Sequence, residues 1–225
     1  MFGLDPVELL FTLAYGAVPV VFAITMHEVA HGWAAKQLGD PTAHRLGRLS
    51  ANPIRHVDPI GTVAVPIGLA LLSGGSMMFG WAKPVPVVFG NLRNPKRDMI
   101  LVAAAGPGSN LVMATFWAIV AMSIFALGMD ETFLGGMIIL AARVGIWFNV
   151  LLMVFNLIPI PPLDGGRVLA GMLPQSGADF LARIEPFGFI IVLLLVVGPI
   201  PLLWNVMEPF LRFFIDFFYS AAGFL

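Results

Sequence analysis

The chain has 225 residues, of which 59% are hydrophobic and only 11% charged, with a formal net charge of -1 and a mean hydropathy of +0.92. Such a composition excludes an ordinary soluble domain and leaves a polytopic membrane protein of four to six spans, with about the whole length, 1–225, in one integral membrane domain. The absence of cysteine removes disulfides and thiolate metal ligands, so any metal must be held by histidine and carboxylate, and the near-neutral charge gives no reason to expect nucleic acid.

The first apolar segment starts after Asp5-Pro6, a cap-like pair, and fades at Gly39-Asp40-Pro41. The N-terminus lacks the basic region of a signal peptide, so this helix is expected to be retained. At 1.5 Å per residue it is roughly 50 Å long, more than the roughly 30 Å hydrocarbon core, and must tilt or project. Late in it lies His27-Glu28-Val29-Ala30-His31. The two histidines, four apart, share one helix face, a spacing that lets both imidazoles hold one Zn²⁺ while Glu28 polarises a water. Ionisable groups in an apolar helix are costly and imply a purpose.

Residues 40–58 are polar, basic and turn-rich and are expected at the surface, with His44 and His56 solvated or structural. Residues 60–78 are apolar again but interrupted by Gly61, Pro66, Gly68 and Gly74-Gly75. Eight of the twelve basic residues flank this stretch between the first helix and the next long apolar run. If 60–80 dips into the bilayer and returns, all eight share one face, which the positive-inside tendency makes cytoplasmic. The segment is therefore expected to be re-entrant and hairpin-like, with a strand at Val85–Val88. Pro84 and Pro86 strip the donors from one strand edge, and the N–H groups of Val85 and Val87 on the other could bind an extended substrate.

A second spanning helix is expected at 97–127, carrying Gly106-Pro107-Gly108-Ser109-Asn110, then an acidic turn at Asp130-Glu131 and a third helix at 137–158 with Arg143, Asn149 and Asn156. This helix ends at Pro159, Pro161 and Pro162, followed by Asp164-Gly165-Gly166. After three crossings that end lies on the side where the first helix exits, with the histidines. A third metal ligand is sought among Asp40, Asp58, Asp98, Asp164, His44 and His56, and Asp164 is favoured because it ends an apolar helix on the correct side in a backbone break able to aim it inward. Residues 167–185 read as a polar link, and two further spans are expected within about 186–221, with Arg212 and Asp216 spaced to pair on the last.

The three signatures together, HEVAH, GPGSN and N-x-x-P-x-P-x-L-D-G from Asn156 to Gly165, resemble the site-2 protease family of intramembrane zinc metalloproteases. The stretches 47–61 and 80–85 resemble its compact prokaryotic branch, and no PDZ or CBS domain is visible. The resemblance implies an all-α fold with a three-helix catalytic core at about 6–167, one Zn²⁺ per chain on His27, His31 and Asp164, and Glu28 as catalytic base. It implies Asn156 near the active site. Asn110 and Asn156 are weighed between interhelical bonding and contact with substrate or transition state. The expected partner is a membrane-protein substrate with a transmembrane helix, in a prokaryotic inner membrane, cut near the cytoplasmic side; the oligomeric state is left open. A metal-binding transporter or a non-catalytic scaffold is the alternative, although no inverted repeat supports the former.

Overall fold

The computed structural model describes residues 6–72, 82–197 and 202–225. Three long helices dominate. α1 (Pro6–Gln37), α4 (Pro95–Ala126) and α5 (Phe133–Asn156) pack against one another in every pairing, which gives the expected three-helix core. Among the described residues, α4 and α5 are long and apolar enough to cross a membrane. Their shared interface is built from Ala114, Ala118, Ala121 and Ala142 with Ile146 and Val150. Small residues suit this place, because in a bilayer helices associate through close van der Waals packing rather than through a hydrophobic drive.

α1 stops where the sequence indicates. Gly39 takes φ +117°, a value L side chains rarely adopt, and the Asp40 N–H turns back to the Ala35 carbonyl at 2.8 Å. Short α2 (Thr42–Arg45) follows, then a 3₁₀ turn (Pro53–His56), a π-helical turn (Pro59–Ala64) and α3 (Val65–Leu72). The Lys83 N–H donates to the His56 carbonyl at 2.9 Å, so the chain at residue 83 stands beside the point from which it left at residue 56. Residues 73–81, part of the expected hairpin, lie outside the described residues.

No strand occurs among the described residues, and the one expected at Val85–Val88 is irregular chain. Of the two donors expected to be available, Val85 N–H is used by a side chain rather than a ladder, bonding Glu28 at 2.7 Å; the second such bond comes from Val88 N–H to Asp40, also at 2.7 Å, and not from Val87.

α5 begins at Phe133, capped by Thr132 Oγ1, which accepts from Gly135 N–H, and ends at Asn156. The proline-rich turn then leads into α6 (Asp164–Met172) and α7 (Gln175–Val197). The expected polar link is thus mostly helical, broken only near Pro174, and α7 starts well before residue 186. A Cβ on Gly165 would fall 2.2 Å from the Leu157 carbonyl oxygen, and one on Gly188 of α7 would fall 2.1 Å from that of Pro161, so the turn is folded tightly on itself and under α7. α8 (Leu202–Ala221) packs on α5 through Leu203, Met207, Leu211 and Phe218. On it Arg212 pairs with Glu208, one turn earlier, instead of with Asp216. The prolines at 199 and 201 fall outside the described residues.

Candidate metal centre

α1 carries His27 and His31 on one face, and the α5–α6 turn brings Asp164, first residue of α6, against them. Asp164 Oδ2 lies 3.2 Å from His27 Nε2 and 3.3 Å from His31 Nε2, and the two Nε2 atoms are 3.1 Å apart. Of the candidates for a third ligand, Asp164 alone joins the pair among the described residues. The others serve locally. Asp58 caps the π-helical turn through Ile60 and Gly61, Asp98 accepts from Asn94 N–H at the start of α4, Asp40 accepts from Thr42, Val88 and Asn91, and His56 is buried against the Ser50 carbonyl. His44 is exposed on α2.

Hydrogen bonding around the cluster decides what it can hold. His31 Nδ1 is 2.7 Å from the Val102 carbonyl, which can only accept, so the ring proton sits on Nδ1 and Nε2 presents a lone pair. His27 Nδ1 is 2.6 Å from Asn110 Oδ1, which sets the same tautomer. Asp164 Oδ2 is buried with no hydrogen-bond partner among the described residues. With each ring neutral in that tautomer, three acceptor atoms converge, an arrangement that is repulsive unless a cation lies between. Four-coordinate zinc with bonds of about 2.0–2.1 Å spaces its ligand atoms about 3.3 Å apart, close to the separations found.

Gly106 completes the cradle. It packs α4 directly on the imidazoles, and a Cβ there would fall 2.3 Å from His31 Nε2. Glu28 is half-buried, its Oε2 accepting the Val85 N–H at 2.7 Å. Val85 itself is buried over Gly32, and Val87 packs towards Ala34, Ala35, Leu92 and Val102. Asn110 spends both ends of its amide inside the protein, on His27 and on Asn149. Asn156 donates to the Leu152 carbonyl of its own helix. Asn149, Gly106 and the Val102 carbonyl are not among the expected site groups; for Asn149 the available signal was an amide in the middle of an apolar helix.

Comparison with known proteins adds an independent line. Residues 131–198 match the model of peptidase family M50. The chain is 37% identical over 202 residues to YwhC of Bacillus subtilis (strain 168), whose name marks it as a candidate zinc metalloprotease, with 87% of each chain covered. It is 29% identical to Rip2 of Mycolicibacterium smegmatis, covering 80% of this chain and 65% of that one, and 28% identical to Rip2 of Mycobacterium tuberculosis H37Rv, covering 83% and 70%; both carry the same style of name. No solved structure matches.

Proposed function

The chain belongs to peptidase family M50, the site-2 protease family of intramembrane zinc metalloproteases, and we propose that His27, His31 and Asp164 hold its one Zn²⁺ while Glu28 is its catalytic base. The observation that carries the ligand assignment is the convergence of His27 Nε2, His31 Nε2 and Asp164 Oδ2, at 3.1 to 3.3 Å from one another, in a largely buried site. A bound zinc there supplies Lewis acidity, polarising a water and the scissile carbonyl.

The protein's own groups do the rest. Glu28 takes the proton of the attacking water on a carboxylate oxygen and returns it to the departing amide nitrogen. Val85 N–H, donating to Glu28 Oε2, fixes one oxygen of that carboxylate and leaves the other to the water. Asn110 holds His27 in its ligand tautomer, and Asn156 stands at the end of α5 as the candidate contact for substrate or developing oxyanion.

A substrate helix hides its carbonyls in i→i−4 bonds, so it must unwind before cleavage, and helix-breaking residues favour this. The unwound segment lies along Val85–Val88, where Val87 is the donor not engaged by Glu28 or Asp40. Lys83 standing beside His56 supports re-entry of the stretch between them, with the basic loops on one face; by the positive-inside tendency that face is cytoplasmic, in the inner membrane of a prokaryotic cell. The catalytic unit is residues 6–167, with the later helices supporting it.

Glu28→Gln tests the base. The carboxamide keeps the shape of the site and is no ligand, so zinc content is expected to stay at the wild-type level while cleavage of a transmembrane peptide falls by at least about 10³-fold. A Glu28→Gln enzyme with wild-type turnover would refute the assignment.

A further inference from the structure

Behind His27 a chain of amides crosses all three core helices. Asn149 Nδ2 donates to the Gly145 carbonyl at 2.8 Å, Asn149 Oδ1 accepts from Asn110 Nδ2 at 2.9 Å, and Asn110 Oδ1 faces His27 Nδ1 at 2.6 Å. Both asparagines are fully buried. A side-chain amide can turn over and exchange its donor and acceptor ends, but a backbone carbonyl can only accept. The Gly145 carbonyl therefore compels Asn149 to present nitrogen to it and oxygen to Asn110. That oxygen compels Asn110 to present nitrogen to Asn149 and oxygen to His27. The oxygen in turn requires the proton on His27 Nδ1, which leaves Nε2 as a lone pair facing His31 and Asp164.

We propose that Asn149, which does not touch the metal ligands, is a positioning residue for the metal centre: through Asn110 it holds His27 in the tautomer that can bind zinc. The inference rests on the zinc site proposed above. Without the Asn149 oxygen, the Asn110 nitrogen keeps, among the described residues, only the Ala23 carbonyl at 3.5 Å, and can turn towards His27. His27 then carries its proton on Nε2, and zinc binding must first reverse both groups. His31 needs no such relay, because the Val102 carbonyl holds it directly.

The test is zinc affinity, measured by chelator competition on the full chain in lipid nanodiscs, with thermal stability of the metal-free chain recorded alongside. Asn149→Leu, close in volume and without an acceptor, is expected to weaken zinc binding by about 10-fold or more, the size of effect typical of outer-shell partners. Asn149→Asp, which keeps an acceptor towards Asn110, is expected to stay within about 3-fold of wild type. In an Asn110→Asp background both oxygens at position 110 are acceptors and turning over changes nothing, so adding Asn149→Leu is expected to cost less than about 3-fold more. A residue that merely glued helices together would lower thermal stability in both backgrounds and would not be rescued in this way. Wild-type affinity in Asn149→Leu, an equal loss in the Asn110→Asp background, or a loss of about 10-fold in Asn149→Asp would each overturn the relay, the last even where Asn149→Leu does not fold. Failure of the underlying site reads differently: wild-type chain without zinc, or with zinc insensitive to His27→Ala, removes the metal centre and the relay together.

Discussion

At Gly106 the α4 backbone lies so close to the imidazoles that the smallest side chain does not fit, with a Cβ 2.3 Å from His31 Nε2 and 2.7 Å from His27 Cε1. Alanine is the better helix former by about 1 kcal/mol, so Gly106→Ala is expected to leave α4 intact, yet it must push the two rings apart. The expected result is loss of zinc and of cleavage with the helical circular dichroism signal unchanged; a Gly106→Ala protein with wild-type zinc affinity would show that α4 packs less closely than described. The meeting of His27, His31 and Asp164 was legible because local rules produce it: four-residue spacing puts two imidazoles on one helix face, and a proline-glycine break frees a carboxylate at a helix end. Gly106 and Asn149 were not, because their reasons are distances between helices. A glycine beside a proline in an apolar helix says that something approaches closely, without saying what. An asparagine there needs a partner, but which end of the amide it presents depends on a carbonyl one turn away and on a second amide on another helix.

The segment Lys83–Asn91 acts as a strap, and Asp40 is its anchor. The Asp40 carboxylate is fully buried; it accepts from Val88 N–H, Asn91 Nδ2, Thr42 N–H and the Thr42 hydroxyl. Burial alone would push the carboxyl up, but the bonds from Asn91, Thr42 and Val88 outweigh it and hold it below the ordinary 3.8. The stability it lends is thus complete above about pH 4 and disappears as pH falls through the lower native value. Asp40→Asn sets an N–H₂ against donors on one side or the other, and is expected to cost about 1–3 kcal/mol of stability and to loosen Val85 from Glu28. Denaturation should show this cost near neutral pH and its disappearance in acid, with cleavage reduced and zinc retained; loss of zinc along with cleavage would mean that Asp40 supports the metal centre itself. The strap also explains why a strand was expected where none formed. Of the two N–H groups that the spacing of Pro84 and Pro86 leaves on one edge, Val85 is taken by a carboxylate and Val87 is not; Val88 is taken in its place, and both carboxylates come from α1 or its end, far off in sequence. The helical character of 167–185 was hidden for a different reason: α6 and the first turns of α7 are polar and glycine-bearing, so the composition reads as a link.

On the scale of the molecule, α1, α4 and α5 pack together and bring His27, Asn110 and Asn149 into one hydrogen-bonded row. Residue 83 returns to residue 56, and Arg93 N–H bonds the Leu38 carbonyl at 3.0 Å, so the segments before residue 57 and after residue 82 lie together at the end of α1. Cysteines replacing the exposed Arg45 and Arg93 are therefore expected to react with an impermeant reagent from the same side of the membrane, and a cysteine replacing Glu131 in the α4–α5 turn from the other. Labelling of the first two from opposite sides would make residues 60–80 a true span. The meeting of His27 and His31 with Asp164 followed from counting three long helices; the tight folding of the turn did not, with Gly165 against Leu157 and Ile158, Gly166 against Ile160 and Pro161, and Gly188 of α7 against Pro161.

The central claim is that His27, His31 and Asp164 form one zinc site that cuts peptide bonds in the membrane. The most direct measurement is metal content together with cleavage of a transmembrane peptide by the purified wild-type chain, beside His27→Ala and Asp164→Ala. About one zinc per chain is expected in the wild type, lost together with cleavage in both variants. Zinc and activity surviving Asp164→Ala would contradict the three-ligand site and the role given to the turn that delivers it.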